Sequence, residues 1–197
     1  NLEFAFDDKL GYLTQCPTNL GTGMRASVML HLPALEKSRT IGRIAGNLSK
    51  LGLTIRGAYG EGSEPSGSLY QLSNQVTLGI SEKAAIENLE NITKQLVSQE
   101  QQARERLAKS IDIQDSVSRS LGLLKSAMVM THDEALKLLS NVRFGILSGQ
   151  IKDVTAEVVD SLMEKIEPAT LMVNSGKNLS AQERDIERAK ILREALS

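Results

Sequence analysis

The sequence predicts an α+β fold, with strands and loops in the first half and helices in the second half. Twelve of the 15 glycines lie before residue 125, and most of them flank apolar runs. After residue 81 the apolar residues instead recur at helical spacing over long stretches. These observations predict a module of strands and loops followed by a helical extension.

Two segments of the first half alternate apolar residues with polar or small ones, which is the period of half-buried strands. These segments span residues 11–16 and 27–32, and two further strands are expected at residues 53–56 and 68–73. A helix is expected from Ile41 to Leu51, because apolar residues recur there at helical spacing and Gly52 can end the helix.

The second half has the periodicity of amphipathic helices. Ser81 is a candidate N-cap, and apolar residues follow it at helical spacing from Ile86 to Leu107. Thr155 and Ser180 are N-cap candidates for two later helices. Shorter helices are expected at about residues 114–127, 132–147, 155–165 and 180–195.

The composition argues against several classes of protein. The chain has 23 Lys plus Arg and 24 Asp plus Glu, so its net charge of −1 indicates neither a nucleic-acid nor a membrane partner. Cys16 is the one cysteine, and the two histidines lack metal-ligand spacing. No apolar run approaches the roughly 20 residues of a membrane span, and no signal peptide is recognisable. We therefore expect a cytoplasmic protein without a metal site. The missing initial Met predicts that residue 1 is a cut point within a longer chain.

The first candidate for chemistry is the loop from Cys16 to Arg25, which joins two predicted strands. A thiolate at Cys16 would be an electrostatic partner for a cationic substrate group, and the Thr18 hydroxyl is placed to hold it. The alternative is that Cys16 is a small buried hydrophobic residue and that the glycines only turn the chain.

The second candidate is the loop that follows Arg56. Arg25 and Arg56 both lie at strand ends, where two guanidinium groups could clamp a polyphosphate. Glu61 could orient a guanidine acceptor and help to remove its proton. The alternative is that each arginine is an exposed charge at a strand end. Neither loop is a P-loop, because Gly-Lys-Ser and Gly-Lys-Thr are absent.

These segments resemble a known family. The stretch from Leu10 to Arg25, with its Cys-Pro-Thr-Asn-Leu-Gly-Thr-Gly run, is similar to the cysteine signature of the ATP:guanido phosphotransferases. The spacing to Arg56 and to Leu72-Ser73-Asn74 also follows that family. Arg25-Ala26-Ser27-Val28-Met29 and the segment from Arg56 to Glu61 are most similar to its bacterial protein-arginine kinase branch, the McsB type.

The resemblance implies a fold, a cofactor and site residues. The fold would be an antiparallel sheet flanked by helices, as in the glutamine-synthetase-like catalytic domain of guanido kinases. Mg²⁺ and ATP would bind, Cys16 and Glu61 would be catalytic, and no protein metal site is implied. The ATP contacts would be Arg25, Ala26, Ser27, Val28, Met29, Arg56, Gly57, Ala58, Tyr59, Gly60 and Glu61.

The tail carries one further motif of the same branch, which implies an allosteric phosphoarginine site at Arg184, Asp185, Arg188 and Ala189. Arg184 and Arg188 are four residues apart, so on a helix they share a face and a phosphoryl group between them would relieve their repulsion. The alternative is a solvated face on which Arg184 pairs with Glu187 and Asp185 pairs with Arg188.

The resemblance predicts a protein-arginine kinase with a catalytic core at residues 1–110 and a helical extension at residues 111–197. The family's N-terminal domain, with its further arginines and second carboxylate, is absent, so we expect this chain alone to be inactive. Implied partners are protein substrates with exposed arginines, an activating zinc-binding adaptor, the Clp protease system in the stress response, phosphoarginine and a second copy of the chain.

Two alternatives remain at the level of sequence. One is a phosphagen kinase that acts on free arginine or another small guanidine, and the other is a non-catalytic phosphoarginine-binding module. The helical extension argues against the first, as does Gln71, which stands where creatine kinases commonly have aspartate.

Overall fold

A computed structural model describes residues 3–58 and 65–197 of the chain. The chain divides into two units. The first comprises Asn1–Pro65 and Leu69–Gln101, and the second comprises Ser66–Ser68 and Gln102–Ser197. The predicted division at residue 110 stays a prediction.

The strands of the first unit form two antiparallel sheets, which confirms the α+β prediction. Strands β1 and β2, of two residues each, pair as a hairpin, and a three-stranded sheet has the order β3-β5-β4. Strand β5 is therefore the central strand, although it comes last in the chain. The strands are β1 Phe6–Asp7, β2 Gly11–Tyr12, β3 Ser27–His31, β4 Leu53–Gly57 and β5 Leu69–Asn74.

The register of the three-stranded sheet separates an apolar face from a polar one. The apolar face carries Leu30, Tyr70 and Leu72, all less than 9% exposed. On the polar face, Met29, Gln71 and Arg56 lie side by side across the three strands. Side chains on a strand alternate between faces, so residues two positions away lie on the same face. Ser27, Ser73 and Thr54 therefore form a second row on the polar face.

The helices follow the predicted periodicity closely. Ser81 Oγ accepts a hydrogen bond from the Ala84 N–H at the start of α3. Ser180 forms a full capping box with Glu183 at the start of α8. The helices are α1 Pro33–Lys37, α2 Ile41–Lys50, α3 Glu82–Leu107, α4 Ile111–Ser126, α5 His132–Leu147, α6 Ala156–Lys165, α7 Pro168–Ser175 and α8 Ala181–Leu196. Within residues 3–58 and 65–197, no helix has both the length and the apolarity of a membrane span.

The helices of the second unit enclose their own apolar core. Helix α4 packs on α5 and α8, α5 on α6, and α7 on α8. The core side chains are at most 2% exposed and include Leu124, Leu139, Val142, Phe144, Leu162, Ile166, Leu171 and Leu192.

The structure differs from the sequence-based expectations in three local elements. The strand expected at residues 11–16 ends at Tyr12. Beyond it, the Thr14 hydroxyl donates to the Cys16 carbonyl over 2.7 Å, and this local bond turns the chain before Pro17. Helices α1 and α7 were not expected, because helices of five and eight residues with Pro at their starts carry too little periodicity to be recognised.

Helix α1 begins against a buried carboxylate. The Glu100 side chain accepts hydrogen bonds from the Ala34 and Leu35 N–H groups, each over 2.9 Å, and the residue is only 4% exposed. These N–H groups are among those that a helix start leaves without helical partners. Tyr70 donates to Glu36 of α1 over 2.9 Å, and burial, followed by this bond, raises the pKa of Tyr70. The phenol therefore stays protonated and joins α1 to the central strand.

We expect Glu100→Ala to lower the free energy of unfolding by about 3 kcal/mol, because two buried N–H groups lose their acceptor. Urea unfolding followed by circular dichroism measures this change. Glu90→Ala is the matched control, since Glu90 lies on the same helix but is exposed. Equal effects of the two substitutions would contradict the capping role of Glu100.

Candidate active site

Two arginines lie on the polar face of the three-stranded sheet. Arg25 precedes β3, and its Nη2 donates to Ser73 Oγ over 3.2 Å. Arg56 lies in β4, where its Nε and Nη2 donate to Gln71 Oε1 over 3.2 and 3.0 Å. Strand β5 therefore supplies the hydrogen-bond acceptor for both guanidinium groups.

Both acceptors are neutral, so these hydrogen bonds do not offset the positive charge of the two arginines. Among the residues that the structure describes, neither guanidinium lies within 4.0 Å of a carboxylate oxygen. A guanidinium keeps its charge at physiological pH and binds phosphate oxygens in a fork. A surface with two such groups on one sheet face is suited to an anion with several charges.

The segment before Arg25 is held by the end of β5. Asn74 is 5% exposed, and its Oδ1 accepts from the Ala26 N–H over 2.7 Å while its Nδ2 donates to the Met24 carbonyl over 3.1 Å. The side chain of Asn74 thereby fixes the backbone on both sides of Arg25. Sequence reasoning gave Asn74 no role, although the Leu72-Ser73-Asn74 run was a signal.

Thr77 anchors the cysteine loop in the same way. Its Oγ1 lies 2.9 Å from the Thr18 carbonyl oxygen and 2.8 Å from that of Leu20, and its own carbonyl accepts from the Thr22 N–H. Gly21 has a φ of +108°, and a Cβ there would lie 2.2 Å from the Thr77 carbonyl oxygen. Only glycine therefore permits this close approach.

Cys16 is exposed at the start of a short 3₁₀ turn, Pro17–Asn19. Its Sγ lies 2.9 Å from Thr18 Oγ1. This hydrogen bond, followed by one from the Thr18 backbone, lowers the pKa of the Cys16 thiol. The observed contact is the one expected from the sequence, and the alternative of a buried cysteine is wrong.

The structure brings some of the expected ATP contacts together and separates others. Arg25, Ser27, Met29 and Arg56 share the polar face, and Met29 is 50% exposed. Val28 and Gly57 lie on the rows of the other face, and Ala26 and Ala58 flank strands β3 and β4. Tyr59, Gly60 and Glu61 lie outside the described residues. The ligand roles of all these residues stay predictions.

In the second unit, the two arginines of the tail motif have different surroundings. Arg188 is 1% exposed, and it donates to the carbonyls of Ile166 and Met130 over 3.1 and 2.8 Å and to Asp185 Oδ1 over 2.5 Å. The expected Asp185–Arg188 pair therefore forms, but with Arg188 buried and the Asp185 side chain 26% exposed rather than on a fully solvated face.

Among the described residues, the Arg184 side chain makes one hydrogen bond, in which Nη1 donates to the Leu179 carbonyl over 2.8 Å. The alternative interpretation expected Arg184 to pair with Glu187, but Glu187 instead lies near Lys190. The other N–H groups of Arg184 have no partner among the described residues. Ala189, the last residue of the motif, is 1% exposed.

Comparisons with known proteins agree with these features. Residues 1–103 match the model of the ATP:guanido phosphotransferase C-terminal catalytic domain. The chain therefore belongs to the ATP:guanido phosphotransferase family. Residues 110–197 match the model of the protein-arginine kinase McsB C-terminal domain.

Two curated relatives of this chain are named protein-arginine kinase. The chain is 52% identical to a protein-arginine kinase of Halothermothrix orenii, of which it covers 57%, and 48% identical to one of Clostridium acetobutylicum, of which it covers 58%. Both alignments include the whole of this chain, which thus spans a little more than half the length of these curated relatives. A lombricine kinase structure is 37% identical, with a TM-score of 0.46 over 54% of this chain and 28% of that one.

The described residues include no group of three His, Cys, Asp or Glu side chains that could hold a metal ion.

We expect Thr18→Val to raise the pKa of Cys16 towards its ordinary value, because the side-chain hydrogen bond that stabilises the thiolate is lost. The pH dependence of iodoacetamide alkylation measures this change, since Cys16 is the only cysteine. Thr18→Ser retains the hydroxyl and should retain the parent profile. Identical profiles for the valine and serine variants would rule out the hydroxyl as the cause.

Proposed function

We propose that this chain is the ATP-binding, catalytic part of a protein-arginine kinase. The observation that carries the proposal is the pair Arg25 and Arg56 on one sheet face, each with a neutral hydrogen-bond acceptor. The relatives named protein-arginine kinase, which are identical to this chain at about half of the aligned positions, support the same activity.

The reaction would transfer the γ-phosphoryl group of ATP to an arginine side chain. The bond between the γ-phosphorus and the β–γ bridging oxygen breaks, and a bond forms between phosphorus and a guanidine nitrogen. Arg25 and Arg56 would stabilise the charge on the transferring group and on the ADP that leaves. Mg²⁺, bound with ATP, would add charge neutralisation on the phosphates.

Two further residues would act on the acceptor. Glu61 would orient the substrate guanidinium and receive the proton that its nitrogen loses. The thiol of Cys16 has a lowered pKa because of Thr18, and as a thiolate it would attract the same cation. An acceptor that keeps its positive charge until transfer fits a site with these two groups.

We further propose that the chain supplies only part of the active site and requires the remaining length of its relatives for turnover. Its catalytic core would end near residue 110. The protein would act in the cytoplasm on proteins with exposed arginines, together with an activating zinc-binding adaptor, and it would mark those proteins for Clp-dependent degradation under stress. It would also associate with a second copy of itself.

The tail motif would bind phosphoarginine and regulate the kinase. Arg184 supports this role, because most of its N–H groups have no partner among the described residues and can receive phosphoryl oxygens. Arg188 and Asp185 would hold the helix in place, since their side chains bond to one another, and Arg188 also bonds to the carbonyls of Met130 and Ile166.

Calorimetric titration of the chain with Mg·ATP should detect binding, and Arg25→Met and Arg56→Met should each weaken it by roughly 10- to 100-fold through loss of a charge-assisted contact. Arg43→Met is the control, because Arg43 is exposed on α2. A folded parent chain that does not bind ATP would contradict the proposal.

The acceptor is tested with ³²P-labelled ATP and the chain extended to the length of its relatives, offered either an unfolded arginine-rich protein or free arginine. We expect acid-labile label on the protein, as an N–P bond requires. Label on free arginine alone would identify a phosphagen kinase. Turnover by the isolated 197 residues would show that no further segment is needed.

Phosphoarginine binding should depend on Arg184. We expect Arg184→Met to weaken binding of the free amino acid by roughly tenfold or more without loss of stability. Arg188→Met should instead lower the free energy of unfolding by about 3–5 kcal/mol, because the carbonyls of Ile166 and Met130 lose a buried donor and Asp185 loses its ion-pair partner. Lys190→Met is the control on the same helix. Unchanged binding by Arg184→Met would refute the tail assignment.

A further inference from the structure

Gln71 connects all three strands of the sheet through its side chain. Its Oε1 accepts from Arg56 Nε and Nη2 on β4, and its Nε2 donates to Oγ of Ser27, the first residue of β3, over 3.1 Å. A guanidinium has no acceptor, so Arg56 requires the oxygen of the amide to face it. The amide nitrogen must then face Ser27, whose hydroxyl can accept.

The amide also gives Arg56 a direction without reducing its charge. Two N–H groups of the guanidinium converge on one oxygen, which restricts rotation of the fork. A carboxylate in the same place would hold the fork equally well but would form an ion pair with it and offset the positive charge. Ser73, the acceptor for Arg25, is likewise neutral.

We infer that Gln71 is a positioning residue for the phosphoryl donor, which orients Arg56 towards the polyphosphate while leaving its charge available. This inference rests on the proposed function, because it assumes that the polar face binds ATP. The role of Gln71 would be exerted through its hydrogen bonds to Arg56. The neutrality of the side chain is as important for this role as its reach.

Gln71→Glu is the sharpest test, because glutamate has the same size and keeps an oxygen towards Arg56. We expect this substitution to weaken Mg·ATP binding to the chain by about tenfold, since a new negative charge lies beside the phosphates. AMP, which carries less charge, should lose less affinity, so the ratio of ATP to AMP affinity should fall. A general structural defect would weaken the binding of ATP and of AMP by the same factor.

Gln71→Met tests positioning apart from charge. It keeps the length of the side chain but removes both hydrogen bonds, and we expect ATP affinity to fall roughly threefold to tenfold. In an Arg56→Met background the same substitution should have no further effect, because Gln71 acts through Arg56. Gln99→Glu, at an exposed position on α3, is the control for net charge.

The outcomes distinguish failure of the proposed function from failure of the role inferred for Gln71. If the folded parent chain does not bind ATP, the proposed function fails. If the parent binds ATP and Gln71→Glu keeps the parent ratio of ATP to AMP affinity, the inference fails and the proposed function stands. An equal effect of Gln71→Met with and without Arg56 would also overturn the inference. Thermal unfolding of each variant confirms that folded proteins are compared.

Discussion

The alternation of side chains along β5 is the constraint on which the first unit depends. Tyr70 and Leu72 face the core, whereas Gln71 and Ser73 lie on the opposite face of the sheet and accept hydrogen bonds from the two arginines. The register of one strand therefore fixes both the apolar packing and the positions of the cationic groups. A shift by one residue would exchange the two faces, so burial of the apolar residues specifies the geometry of the site.

The residues that follow β5 extend this constraint to the cysteine loop. Asn74 bonds to the backbone on both sides of Arg25, and Thr77 approaches two carbonyls of the loop that begins at Cys16. The loop has no extensive core of its own, because Cys16, Pro17 and neighbouring residues are exposed. Its shape is set mainly by hydrogen bonds from β5 and the turn after it, together with the close approach that Gly21 allows.

Sequence periodicity predicted the long elements well, because the apolar faces of α3, α5 and β5 repeat over many residues. It could not predict α1, whose start depends on Glu100, 66 residues from Ala34 along the chain. The side-chain contacts of Asn74 and Gln71 were missed for the same reason, since their partners lie in distant segments of the chain. The Cys16–Thr18 contact was predictable because both residues lie in one short loop. Local patterns thus reveal local structure, whereas polar contacts across the sheet require the fold.

The tail motif shows why residue types alone do not assign roles. Arg184 and Arg188 are one helical turn apart, yet Arg188 is buried with three oxygen partners and Arg184 bonds to one carbonyl. Arg188 joins α8 to the residues before α5 and after α6, and the Met130 N–H adds a bond to the Asp185 carbonyl. These contacts hold the start of α8 in place, so Arg184 is presented from a fixed backbone. The buried Arg188 therefore supports the partly exposed Arg184, and a change at either position would alter the motif for a different physical reason.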